Sequence, residues 1–104
     1  MVHTIHNPFL SVSVSEHGAQ LQSIMGKSGT EYLWQGDSQY WSDRDLHLFP
    51  YVARLTEGTY MLDGHAHQMA IHGIAPYRRF QLVAGADSWL TQSQIGRASC
   101  RERV

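Results

Sequence analysis

Thr59-Tyr60-Met61-Leu62, then Asp63-Gly64, then His65-Ala66-His67-Gln68-Met69 reads as a β-hairpin, and no other local signal in the chain restricts the fold as strongly. A two-residue type I′ turn needs positive φ at both central residues, which suits Asp-Gly. The same theme recurs along the chain. Leu10, Val12 and Val14 alternate with Ser11, Ser13 and Ser15, predicting a half-buried strand over residues 9–15. His17-Gly18 marks a turn. A second strand is predicted over 19–25, and a third over 31–35 after the turn chemistry of Gly26-Lys27-Ser28-Gly29. Gly36-Asp37-Ser38 ends it. Residues 39–47 read as irregular, with one helical turn around Tyr40-Trp41, and Pro50 keeps 48–52 from being a regular central strand. Residues 79–84 and 88–91 predict a further pair across Gly85-Ala86-Asp87. No helix of ordinary length has a convincing apolar stripe. The fold class predicted is all-β, an antiparallel β-sandwich or barrel. Domains of this kind often run to about 200 residues, so the chain is expected to be an incomplete one with open sheet edges.

The composition, 42% apolar and 16% charged, is that of a globular protein. A net charge of -1 gives no general attraction to nucleic acid or to an anionic membrane. No apolar run approaches the roughly 20 residues needed to span a bilayer. Residues 1–6 lack a basic stretch followed by an apolar one, so the expected location is cytoplasmic. At Ile95 the pattern breaks. Residues 95–104 back-translate codon for codon into a short-read sequencing adapter, so they are expected to be a translated adapter tail, and residues 1–94 the native part of one domain. The tail holds the sole cysteine, Cys100, with three of the eight basic and one of the nine acidic residues, which leaves 1–94 a net charge of -3.

Three sets of residues offer chemistry. His65 and His67 share one strand face, and with His72 they raise a metal site. No Cys, Asp or Glu completes a ligand shell, so solvent-facing histidines are the expectation and no metal is predicted. Arg54 follows an apolar stretch, residues 48–53, expected to be at least partly buried. Its guanidinium either offers a fork of donors to sugar hydroxyls or pins a carboxylate such as Asp45 or Glu57. His72-Gly73 opens a loop containing Pro76, where a histidine can hydrogen-bond a sugar oxygen or serve structure alone. Trp34, Tyr40, Trp41 and Phe49 offer a platform for a pyranose ring, although core packing suits Trp34 and Phe49 better.

In order, Asn7-Pro8-Phe9-Leu10, Gly18-Ala19-Gln20-Leu21-Gln22-Ser23-Ile24, Glu31-Tyr32-Leu33-Trp34-Gln35-Gly36-Asp37, Tyr40-Trp41, Leu48-Phe49-Pro50, Arg54-Leu55, Gly58-Thr59-Tyr60, Asp63-Gly64 and His72-Gly73 resemble the first third of the aldose 1-epimerase, or galactose mutarotase-like, family. The resemblance implies a large antiparallel sandwich, the galactose mutarotase-like supersandwich. It also implies interconversion of the α and β anomers of a free aldose without a cofactor. A carboxylate takes the anomeric hydroxyl proton while a histidine protonates the ring oxygen. Arg54 matches the family's substrate-binding arginine and His72 the first of its two active-site histidines. The second histidine and the glutamate base match nothing before Gln94. Glu16, Glu31 and Glu57 fall outside the right motif. No catalytic residue is therefore assigned, and the chain alone is expected to be inactive.

Ala53 departs from the Gly or Asn that commonly precedes the family's arginine, and residues 74–80 depart from its usual Phe-Ala-Arg pattern. Arg78 and Arg79 raise a phosphorylated sugar as substrate. Being adjacent on an extended segment, at most one is expected to reach the cleft. The alternative function is a non-catalytic carbohydrate-binding β-sandwich module using the same arginine, histidine and aromatics. The oligomeric state is not legible in the chain.

Overall fold

A computed structural model describes residues 1–94, and the tail expected to be foreign lies outside the described residues. The strands are β1 (Val2–His6), β2 (Leu10–Ser15), β3 (Leu21–Gly26), β4 (Thr59–Leu62), β5 (His65–Gln68), β6 (Gln81–Gly85) and β7 (Leu90–Ser93). They form an antiparallel sheet in the order β1-β2-β3 and two hairpins, β4-β5 and β6-β7. Two 3-10 turns, Thr56–Gly58 and Ala75–Tyr77, complete the regular structure among the described residues.

Side-chain alternation sets the register of the three-stranded sheet. Ile5 opposes Val12, which opposes Ile24, in a β-branched row across one face. On the other face Thr4 opposes Ser13, and their hydroxyls lie 3.0 Å apart. A bulge shifts the register after Ser13, so that Val14 meets Leu21. Asp63 (φ 52) and Gly64 (φ 80) supply the two positive angles expected of the β4-β5 turn. Ala86 donates to the Trp89 carbonyl at 2.8 Å and closes the β6-β7 turn. Trp41 donates to the Asp37 carbonyl at 2.9 Å, the helical turn expected there.

The strand expected over 31–35 does not form; only an isolated bridge, Met25 to Glu31, remains of it. The Glu31 carboxylate accepts from Ser23 Oγ at 2.5 Å, from Ile24 N–H at 2.7 Å and from Leu33 N–H at 3.1 Å. A side chain thus takes donors that a backbone ladder needs.

The core is open. Val14 and Ala75 are the buried hydrophobic residues among those described, whereas Phe9, Tyr40, Phe49 and Val52 are well exposed. Val14, Leu21, Phe49, Ile74, Phe80 and Leu90 line a cavity of about 760 Å³ between the sheet and the β6-β7 hairpin. The molecule measures 56 × 34 × 17 Å, so its thinnest dimension is less than two sheet spacings of about 10 Å each.

Candidate functional site

Two loops laced together carry Arg54 and His72. Phe49 donates to the His72 carbonyl at 3.2 Å, and the Phe49 carbonyl accepts from Ile74 at 2.7 Å and Ala75 at 3.2 Å. His72 N–H donates to the Ala53 carbonyl at 2.9 Å. Ala53 N–H returns the contact, donating to the imidazole Nδ1 of His72 at 2.9 Å. Gly73 (φ 84) permits this approach, because a Cβ there would collide with the carbonyl of Phe49 and lie 2.6 Å from Pro50 Cδ. The Tyr51 hydroxyl donates to the Met69 carbonyl at 3.1 Å and to that of Ala70, and the Tyr77 hydroxyl to Ile71 at 2.8 Å. The carbonyls leading to His72 are therefore tied down on both sides.

A backbone N–H always carries its proton, so a ring nitrogen that accepts from it is unprotonated. The neutral imidazole of His72 then holds its proton on Nε2. Arg54 continues directly from Ala53. Its residue is exposed, as are Phe49, Pro50, Val52 and Ala53; of the stretch expected to be at least partly buried, only Leu48 and Tyr51 are half-buried. Among the described residues its guanidinium meets neither Asp45 nor Glu57; Asp45 Oδ1 instead accepts from Leu21 N–H at 2.5 Å. The arrangement places an imidazole N–H one residue along the laced loops from an exposed arginine. The large apolar cavity includes neither residue.

The loop returns to the sheet at residues 78–80. Arg79 forms an antiparallel bridge with His17, Gly18 donates to the Arg78 carbonyl at 2.7 Å, and Phe80 donates to that of Glu16 at 2.5 Å. The Glu16 side chain, 6% exposed, accepts from His3 Nε2 at 2.7 Å and from Arg79 Nε at 2.9 Å. The hydrogen bond from His3, then that from Arg79, holds the Glu16 carboxyl below the usual carboxylate range. Arg79 gives its Nε to this contact while its side chain stays 71% exposed, and Arg78 is exposed as well. Nothing local in the sequence signals the Glu16 contact, since its partners stand far away along the chain.

The aromatic residues divide differently from expectation. Phe49 lines the cavity. Trp34 is 43% exposed, sits edge-on to Tyr40 with ring centres 6.3 Å apart, and donates from Nε1 to the Trp41 carbonyl at 2.7 Å. It belongs to a surface aromatic group with Tyr40 and Trp41 rather than to the core. His67 stacks on Tyr60 across the β4-β5 pair at 5.2 Å. No group of three His, Cys, Asp or Glu suited to a metal occurs among the described residues. No described helix is long and apolar enough to cross a membrane.

The sequence profile of the family described as Aldose 1-epimerase matches residues 1–86. Protein LacX of Lactococcus lactis subsp. lactis, in plasmid and chromosomal forms, is 43% identical over 51 residues, which is 49% of this chain and 17% of that protein. A galactose mutarotase-like protein from Lactobacillus casei superposes with a TM-score of 0.89 at 31% identity, over 96% of this chain and 34% of that one. A galactose mutarotase related enzyme from Lactobacillus acidophilus gives 0.86 at 30% identity, over 88% of this chain and 31% of that one. The Slr1438 protein of Synechocystis, at 16% identity and a TM-score of 0.66, shares the fold. The chain thus spans about a third of the length of these solved structures, and its all-β antiparallel architecture is galactose mutarotase-like.

Proposed function

The chain belongs to the aldose 1-epimerase family, and on that premise we propose that it forms the N-terminal third of a mutarotase that interconverts the α and β anomers of an aldose by general acid–base catalysis. The observation carrying this reading is the lacing of residues 49–54 onto 69–75. It brings the imidazole of His72 against the backbone N–H of Ala53, the residue before Arg54.

Each residue has a definite task in such a site. The guanidinium of Arg54 binds sugar hydroxyls with several donors at fixed angles. The Nε2–H of His72 donates to oxygen near the pyranose ring oxygen. Ring opening needs a proton to reach that oxygen while another leaves the anomeric hydroxyl. The aldehyde end then rotates, and closure on the other face gives the other anomer. The acid and base for these transfers are the second histidine and the glutamate expected beyond Gln94, so the 104-residue chain alone is inactive. Within this reading residues 1–94 are native and 95–104 foreign, and a genomic read across codon 94 tests the boundary. The reaction needs no cofactor and fits a cytoplasmic protein acting on a soluble sugar. For a phosphorylated sugar Arg78 supplies a cation that Glu16 does not hold, whereas Arg79 gives its Nε to that carboxylate.

Polarimetry on the product of the complete reading frame tests the proposal. Anomerisation of glucose, galactose or their phosphates is expected to run well above the buffer rate. Arg54→Ala and His72→Ala are each expected to lower kcat/KM by about 100-fold, the scale of one lost acid–base or charged contact. Acceleration no greater than buffer for every aldose and aldose phosphate would refute it. The exposed aromatic group of Trp34, Tyr40 and Trp41 favours the second reading, a sugar-binding module without catalysis. Saturable sugar binding without anomerisation would identify that case.

A further inference from the structure

Five non-glycine residues among those described have positive φ, and two of them, Ala53 (φ 77) and His72 (φ 66), are hydrogen-bonded to each other through both backbone and side chain. Asp63 is explained by its turn. No turn of that kind joins Ala53 to His72, which come from different loops. Strained non-glycine backbone persists where the surroundings enforce it, and it gathers at working sites. Here the strain has a visible product. The left-handed turn at Ala53 aims its N–H at His72 Nδ1, and the left-handed turn at His72 aims its own N–H at the Ala53 carbonyl.

We propose that Ala53 is a positioning residue whose backbone N–H fixes the His72 imidazole as its Nε2–H tautomer, directing a hydrogen-bond donor rather than an acceptor toward the sugar. The proposal rests on the mutarotase reading for its consequence in rate, while the tautomer itself is observable without any substrate. A free imidazole exchanges between two neutral tautomers, of which one presents a lone pair on Nε2. Such a ring repels the lone pairs of a sugar ring oxygen instead of binding them. The Ala53 N–H removes that state, because two protons cannot occupy one hydrogen bond. Ala53 also leads directly into Arg54, so the clamp lies one residue from that side chain's own backbone. Only the amide is used, so the small side chain does not reveal the role.

The test is nitrogen NMR on the complete protein labelled with 15N-histidine, at about pH 8.5, where imidazoles are neutral. The His72 signals are assigned by their loss in His72→Asn. The expected spectrum has protonated Nε2 and unprotonated Nδ1. A protonated Nδ1, or two averaged nitrogens, would overturn the proposal. Replacing Ala53 by its α-hydroxy analogue through nonsense suppression turns the N–H into an oxygen and leaves the side chain alone. The two His72 nitrogens should then move toward each other, and kcat should fall about 10-fold with KM little changed. An unaltered nitrogen spectrum in that variant refutes the clamp. His72→Asn keeps an acceptor near the Nδ1 position, and Asn tolerates positive φ, so it should melt as the wild type does yet lose at least about 100-fold in kcat. A fixed tautomer in a protein without mutarotase activity would defeat the functional reading while leaving the clamp intact. Activity with a free tautomer would do the reverse.

Discussion

Ala53 carries a methyl group on a backbone with φ 77, a region in which glycine has no steric cost. Ala53→Gly keeps the N–H that reaches His72 and relieves that strain. Chemical denaturation of the complete protein should show it more stable by about 0.5–1 kcal/mol. A loss of stability would mean that the unfolded-state entropy of glycine outweighs the strain. Gly73 presents the opposite case. A methyl group there meets the Phe49 carbonyl and Pro50 Cδ on a backbone with φ 84, so Gly73→Ala should cost about 3 kcal/mol. A cost below about 1 kcal/mol in the same titration would show that the two loops separate easily. Arg54 and His72 stand out in the sequence as candidates because the ordered motifs around them resemble a family. The clamp between Ala53 and His72 is not legible, because it depends on backbone angles at two positions whose residue types do not announce them. The same holds for Arg54 as a buried group: the apolar letters before it suggest burial, yet Phe49 and Val52 are 62% and 68% exposed.

Strands and loops show the same division between local and distant causes. The β4-β5 hairpin is legible because Asp63-Gly64 determines its own turn. Strand β2 is legible through its alternation. Strand β1 has only Val2 and Ile5 as apolar residues, on opposite faces, and relies on distant groups, the His3 contact to Glu16 and the His6 N–H to the Asp87 carbonyl at 2.7 Å. The missing strand at 31–35 fails for a reason hidden in one side chain. The Ser23 hydroxyl, then the Ile24 N–H, holds the Glu31 carboxyl below its ordinary value. A carboxyl whose pKa is depressed by folding adds stability that is fully present above its unfolded value, near 4.5, and is lost as pH falls through the folded value. Glu16 and Glu31 both act in this direction. Stability measured against pH should therefore fall on acidification below about 4.5, and Glu31→Gln should flatten part of that fall. An acid limb of unchanged slope in Glu31→Gln would remove the carboxylate from this role. Glu16→Gln has a second consequence, since the carboxylate ties the strand after the His72 loop to β1 and β2.

Across the whole molecule the decisive quantity is apolar surface with nothing over it. A compact domain of about 100 residues has a radius of gyration near 13 Å; this chain has 16.6 Å. Val14 and Ala75, the buried hydrophobic residues among those described, do not make a core that offsets the conformational entropy of ordering such a chain. The cavity of about 760 Å³ beneath Phe49 and Ile74 has the size and apolar lining of unfilled sandwich interior. Both amide atoms of Gln92, which lines it, are buried without a partner among the described residues, an arrangement that is costly unless a further polar group meets them. The chain spans about a third of the mutarotase-like structures it matches, and under the proposed function the rest of such a protein supplies that cover. Expressed alone, the 104-residue chain should be poorly soluble, bind a hydrophobic dye strongly and melt without a cooperative transition. If the proposed function holds, co-expression with the rest of the mutarotase that it calls for should make the chain soluble and let it melt in one step. A dye-silent monomer of the short chain with a sharp melting transition would show that this sheet and its two hairpins stabilise themselves, and that the apolar face was never meant to be covered.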